Sequence, residues 1–160
     1  MTRVHRDRQQ GFSLIEVLVS LGLLAGVMVA VSSLFIFGGK EVKSGKQMTS
    51  AYSIGHDILE EMDRMTYTQA YMYFKPSAVN PATATTYTVD SYTSGPPTSS
   101  YQANIDSKLY NGKASIKVEG IDTAGTAVAL TSAIGLRVTV SVEWDEGVNH
   151  RYLNLRSVRF

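Results

Sequence analysis

The sequence predicts an α+β chain: a long N-terminal α-helix, its first half apolar enough to span a membrane, packed on a small antiparallel β-sheet. Three observations carry this expectation. From Phe12 to Gly39 the only ionisable side chain is Glu16. Apolar residues then recur at three- and four-residue steps as far as Met65, the spacing of one helix face. Beyond Ala114 the period drops to two, the signature of strands with one buried face.

The chain opens on a short basic stretch, with Arg3, Arg6 and Arg8 against Asp7, and Gly11 closes it. The apolar run from Phe12 exceeds the roughly 20 residues that cross a hydrocarbon core. It also exceeds the 7–15-residue apolar region of an ordinary signal peptide, and no small-x-small cleavage pattern clearly ends it. A carboxylate inside such a run costs roughly 2.5–3.5 kcal/mol at a helix centre and less near an end. Glu16 is therefore a functional candidate that asks for a partner. Lysines 40, 43 and 46 flank the far side of the run, so the positive-inside rule ties and leaves the orientation open.

Residues 12–39 are expected to be helical. Gly22, Gly26 and Ala30 recur at four-residue steps, and Gly22-x-x-x-Gly26 matches the close-packing motif of membrane helices. Gly38-Gly39 and Gly45 are the expected weak points, at up to about 1 kcal/mol each relative to alanine. An amphipathic helix follows over 40–70. Its expected stripe is Met48, Ala51, Tyr52, Gly55, Ile58, Leu59, Met62 and Met65, with Glu60 and Arg64 paired on the polar side. A helix continuous from Phe12 to about Thr66 would be roughly 80 Å long.

Residues 71–104 change character. Pro76, Pro81, Pro96 and Pro97 are all the prolines of the chain, and Ser, Thr, Ala and Tyr fill most of the rest. This predicts a connecting loop with at most short strands, one at Thr85–Val89. Tyr87, Tyr92 and Tyr101 in this loop admit two readings, a contact surface for a partner and a solvated loop lying on the helix, and the second is preferred because loops are surface features.

Strands are expected over 105–160. Ala114, Ile116 and Val118 alternate with polar residues, as do Leu136, Val138, Val140, Val142 and Trp144. Asp145-Glu146-Gly147 predicts a turn, His150–Arg156 a returning strand with Leu153 and Leu155 on one face, and Asn111-Gly112 another hairpin turn. The apolar face of this meander requires a cover, which the Met48–Met65 stripe supplies.

The segment from Gly11 to Glu16, Gly-Phe-Ser-Leu-Ile-Glu behind three arginines, resembles the processing and assembly signal of type IV pilins and of type II secretion pseudopilins. That signal has a basic leader, glycine at the cut, phenylalanine as first mature residue and glutamate as fifth. Within the family the stretch from Gly11 to Met28 is most similar to minor pilins of the PilV type. The resemblance is strong over residues 1–40 and is one of pattern beyond.

The resemblance implies residues 1–11 as a cleaved leader, 12–39 as a membrane and filament-core helix, and 40–160 as a globular domain. It implies that a prepilin peptidase cuts between Gly11 and Phe12 and methylates the new amine of Phe12. Glu16 is the implied assembly residue. It further implies a leader in the cytoplasm, a single pass in the bacterial inner membrane, and later a place in a filament reaching the cell surface. The implied partners are other minor and major pilins, the assembly platform and, before assembly, membrane lipid. Alternatives are a type II secretion pseudopilin, a pilus-tip adhesin and a plain membrane-anchored periplasmic domain. Many major pilins close a C-terminal loop with a disulfide; this chain has no cysteine, which favours a minor pilin or pseudopilin.

Composition narrows the function classes. The formal charge of +1 over 160 residues, −1 once the leader is removed, offers no basic footprint for nucleic acid. Without cysteine there is no thiolate metal site and no cysteine nucleophile. His5, His56 and His150 are scattered, no phosphate loop appears, and no G-x-S-x-G joins a serine to a base. Asp57, Glu60, Glu61 and Asp63 form an acidic cluster that could hold a hard cation, but on a helix a solvated face is the better expectation. No enzyme activity, cofactor or metal is expected.

Overall fold

A computed structural model describes residues 12–93, 95 and 97–160. Gly11 and the three leader arginines lie outside the described residues. The architecture is α+β: a long N-terminal helix and a four-stranded antiparallel sheet. The chain divides into two units, one ending at Lys43 and one running from Ser44 to Phe160.

Helix α1 spans Leu14–Asp63. It starts at Ser13, whose carbonyl accepts from the N–H groups of Glu16 at 2.9 Å and Val17 at 3.2 Å. The helix passes Gly38, Gly39 and Gly45 without interruption, so the expected weak points do not break it. No proline occurs before Pro76, so every backbone donor along it can pair. Among the described residues of the first unit the large apolar side chains lie exposed.

The second unit holds the core. Ala51, Ile54, Gly55, Ile58 and Met62 are buried on the last part of α1. The expected stripe was thus partly misplaced: Met48 and Tyr52 are exposed, and Ile54 takes the buried position. The helix also stops earlier than the predicted residue 70. Met65 N–H bonds back to Met62 O at 3.2 Å, a tightened last turn, and Thr66 leaves the helix with ψ 161°. Thr66 then starts α2 (Tyr67–Tyr73) through a capping box. Its N–H donates to Gln69 Oε1 at 3.0 Å and its hydroxyl oxygen accepts from Gln69 N–H at 3.4 Å.

The strands are β1 (Thr86–Asp90), β2 (Lys113–Ile121), β3 (Gly135–Glu146) and β4 (Asn149–Arg159), in spatial order β1-β2-β3-β4. Each neighbouring pair is antiparallel. Register matches the alternation: Val89, Ile116 and Val140 share one row, with Leu155 opposite Val140. Ile116, Leu136, Val140 and Val142 are fully buried, and they meet Ile54, Ile58 and Met62 of α1 in one core. The β3–β4 hairpin turns on Gly147 and Val148, with Gly147 at φ 64°, a sign that glycine adopts freely.

In residues 71–104, β1 is the short strand, offset by one residue from the expected Thr85–Val89. The correction is a third helix, α3 (Ser100–Lys108), which takes the end of the segment expected as loop and the start of the one expected as strand. Ile105 and Leu109 bury this helix against β2, and Gln102 Nε2 donates to Gly112 O at 2.9 Å. Asn111-Gly112 is therefore not a hairpin turn between strands but the link from α3 into β2. Asn111 has φ 51°, and a Cβ on Gly112 would lie 2.5 Å from Ile105, so a side chain there has no room.

Candidate functional site

The described part of the apolar segment begins with Phe12, which is 80% exposed, and Ser13, both outside the helix. With Ser13 as the capping residue, Glu16 falls in the first turn of α1. There the helix dipole favours a carboxylate by about 0.3–1 kcal/mol. Glu16 is exposed, and among the described residues its side chain has no hydrogen-bond or ion-pair partner.

Three of the four serines of this segment bond within the helix. Ser20 donates to Glu16 O at 2.7 Å, Ser32 to Met28 O at 2.8 Å and Ser33 to Val29 O at 2.9 Å. A helix whose hydroxyls bond its own carbonyls presents hydrocarbon to its surroundings at little polar cost. Over one 18-residue window the mean hydropathy is 2.5 and none of it is buried. By length and composition the helix can cross a membrane. Gly22 and Gly26 have no atom within 4 Å of the place a Cβ would take, and Ala30 continues that row, exposed. The structure brings Glu16, Gly22, Gly26 and Ala30 onto one helix, while Gly11 stands outside the described residues.

Residues 6–32 match the prokaryotic N-terminal methylation motif. The matched stretch contains Gly11, Phe12, Glu16, Gly22, Gly26 and Ala30. The motif supports a type IV pilin-like or pseudopilin-like chain, a structural class that is processed by a prepilin peptidase and assembles with other pilins. No curated protein and no solved structure matches the chain. The motif and the exposed apolar helix agree with a membrane-anchored chain.

In the second unit the tyrosines of the middle segment have distinct places. Tyr87 is buried and its hydroxyl donates to Tyr71 O at 2.8 Å. Burial pushes its phenol well above the usual range. The hydroxyls of Tyr101 and Tyr73 both donate to the Glu61 carboxylate, Tyr73 at 3.1 Å. Burial and then the Glu61 hydrogen bond raise the Tyr101 phenol. Of the three loop tyrosines Tyr92 is the exposed one, at 69%, with Lys113 Nζ 5.4 Å from its ring centroid. Two carboxylates of the acidic cluster are thus engaged, Glu61 by these hydroxyls and Glu60 by Arg64 at 2.6 Å. His56 stacks on Tyr52 with ring centroids 5.9 Å apart.

Sequence reasoning missed a polar cluster at the turn end of the β3–β4 hairpin. The ring of His150 donates from Nδ1 to Asp145 Oδ1 at 2.8 Å, and Asn111 Nδ2 donates to Asp145 Oδ2 at 2.9 Å. These hydrogen bonds, His150 first, hold the Asp145 carboxyl below its ordinary range. The Asp145 bond, then that of Glu143, raises the His150 imidazole. The five-residue spacing from Asp145 to His150 was visible, but only the two-residue turn places them opposite each other.

Proposed function

We propose that the chain is a minor pilin of the PilV type, a structural subunit that primes or caps assembly of a type IV pilus. The observation that carries this reading is the coincidence of the methylation motif at residues 6–32 with an apolar helical segment, residues 12–39, in which Glu16 is the one acid, unpaired in the described residues. A prepilin peptidase cuts between Gly11 and Phe12 and methylates the amine it frees. Before assembly the subunit sits in the inner membrane with residues 12–39 in lipid. The assembly platform then draws it into a filament of major and minor pilins that crosses the periplasm to the cell surface.

Charge gives Glu16 its role. Cleavage creates a cationic amine at the edge of apolar sequence, and a lone charge there is costly. The Glu16 carboxylate of one subunit and the Phe12 amine of a neighbour relieve each other, which fixes register between packed helices. Gly22, Gly26 and Ala30 let another helix backbone approach on that side.

Mass spectrometry of the native N-terminus tests the proposal, on sheared surface filaments and on membranes. Chains beginning at N-methylated Phe12 in the sheared fraction support the pilus subunit. Processed chains confined to membranes transfer the assignment to a type II secretion pseudopilin. An intact leader in both fractions overturns the proposal in favour of a plain anchor.

A further inference from the structure

The sheet ends on one side in a long, regular and uncovered strand. β4 pairs with β3 over eleven consecutive positions without a bulge. Among the described residues no backbone hydrogen bond joins β4 to any element other than β3. Its outer row of N–H and C=O groups is therefore available. The opposite edge, β1, is only five residues long, and short edge strands resist pairing.

The inward row of β4 is also incompletely covered. Leu153 and Leu155 face the same side as Val142 and Val140, which are fully buried, yet both leucines are only half-buried.

Charge selects the occupant. From Asn149 to Arg159 the strand carries His150, Arg151, Arg156 and Arg159 and no acid. Arg151 is held by Glu146 at 3.0 Å and Arg159 by Met62 O at 2.8 Å. Arg156 has no partner among the described residues, and it shares its outward row with Thr139 and Lys117. On β3, by contrast, Arg137 is neutralised by Glu119 at 2.9 Å. A second β4 laid along this edge would bring two sets of arginines to one seam, and like charges across strands oppose pairing. Basic side chains on an edge thus reject indiscriminate partners and admit a complementary one.

We propose that the outer edge of β4 is a docking edge for an extended, acidic strand of a different protein subunit, added antiparallel or parallel to Asn149–Arg159. Main-chain bonds give the attachment, and Arg156 reads the acid.

The test uses the full chain in detergent micelles and two eleven-residue, proline-free synthetic peptides, one alternating glutamate with valine and threonine, the other with lysine in place of glutamate. Binding of the acidic peptide alone, with slowed amide exchange confined to β4, is the expected result. Arg156→Glu should weaken it roughly tenfold, about 1.4 kcal/mol, and Arg156→Lys should restore most of it; unchanged Trp144 fluorescence verifies the fold of both variants. Equal binding of the two peptides, protection elsewhere, or no binding overturns the proposal. Protection of β4 that rises with protein concentration alone assigns the edge to a second copy instead. Duplex DNA competing at the same arginine assigns it to a nucleic acid. Both of these also overturn it. None of these outcomes depends on N-terminal processing, so the edge and the pilin reading fail separately.

Discussion

Leu155 of β4 occupies the space that a side chain on Gly55 would take: a Cβ on Gly55 would lie 2.6 Å from Leu155 Cδ1 and 3.6 Å from Val142 Cγ2. At this glycine α1 packs directly on side chains of β3 and β4. Two effects oppose each other on substitution. Alanine gains about 1 kcal/mol of helix propensity, and the clash falls on the end of a half-buried side chain that can rotate. Gly55→Ala should therefore change stability by less than about 1 kcal/mol. Gly55→Leu must displace Val142 as well and should cost about 1–3 kcal/mol. Urea unfolding followed through Trp144, the single tryptophan and a buried one, measures both.

Arg159 supplies the cation that α1 lacks at its own end. The last turn of the helix contains no basic residue, and Arg159 Nη1 donates to Met62 O at 2.8 Å from the far end of β4. The guanidinium gives this terminal carbonyl a second donor beside the Met65 N–H and complements the dipole. Arg159→Ala should destabilise the second unit by about 1 kcal/mol. Amide exchange should accelerate first around Glu60–Met65.

Glu61 ties two separate segments to α1 through the hydroxyls of Tyr73 and Tyr101. Hydrogen bonds to a charged acceptor contribute about 1.5–3 kcal/mol. Tyr101→Phe and Glu61→Gln should each destabilise, and the double variant should cost less than their sum. The raised phenol of Tyr101 gives a sign for pH. Its contribution is full below the unfolded value near 10 and is lost as pH rises through the higher folded value. Tyr101→Phe should therefore unfold less steeply in alkali than the parent chain.

The hairpin cluster predicts an acid-side window. The His150 imidazole is raised from 6.5, so its contribution is complete below 6.5 and fades as pH rises through the folded value. Asp145 is lowered from 3.8, so its contribution is present above 3.8 and disappears as pH falls through the folded value. Both contributions are present together between those limits. An NMR titration of His150 should show a midpoint above 6.5 that returns toward it in Asp145→Asn.

For the proposed assembly role, Glu16→Ala should be cut and methylated normally but fail to enter filaments. Its loss removes a partner for the neighbouring amine and leaves the cut site intact. Normal filament incorporation of this variant would refute the role. Gly11→Val should accumulate as uncut precursor, visible as a heavier band on a gel.

The strands were legible where burial is one-sided. Leu136 to Trp144 alternate without exception, and register followed from that alternation. The position of the helix stripe was harder, because steps of three and four residues allow two overlapping faces. Tyr52 and Met48 belong to the exposed one, and Ile54 to the buried one. Helix α3 was illegible for a different reason: of its nine residues only Ile105 is buried, too few to show a period. The break before α2 did have a signal in Thr66-x-x-Gln69, a capping box that was not used. For the apolar segment, Glu16 and the small-residue row were visible in the sequence, whereas the capping place of Ser13 needed the backbone.

The contact between Arg159 and Met62 spans 97 residues of chain. At a synthesis rate of about 5–20 residues per second, the end of α1 waits roughly 5–20 s for the strands that cover it. During that interval Ala51, Ile54, Ile58 and Met62 form a finished helix face with nothing to rest on, directly after a segment apolar enough to enter a membrane. The helix is first to be made and last to be sheltered. A holding factor or the bilayer surface must bridge the delay, and a slowed ribosome between residues 64 and 135 should raise the yield of misfolded chain even though no residue has changed.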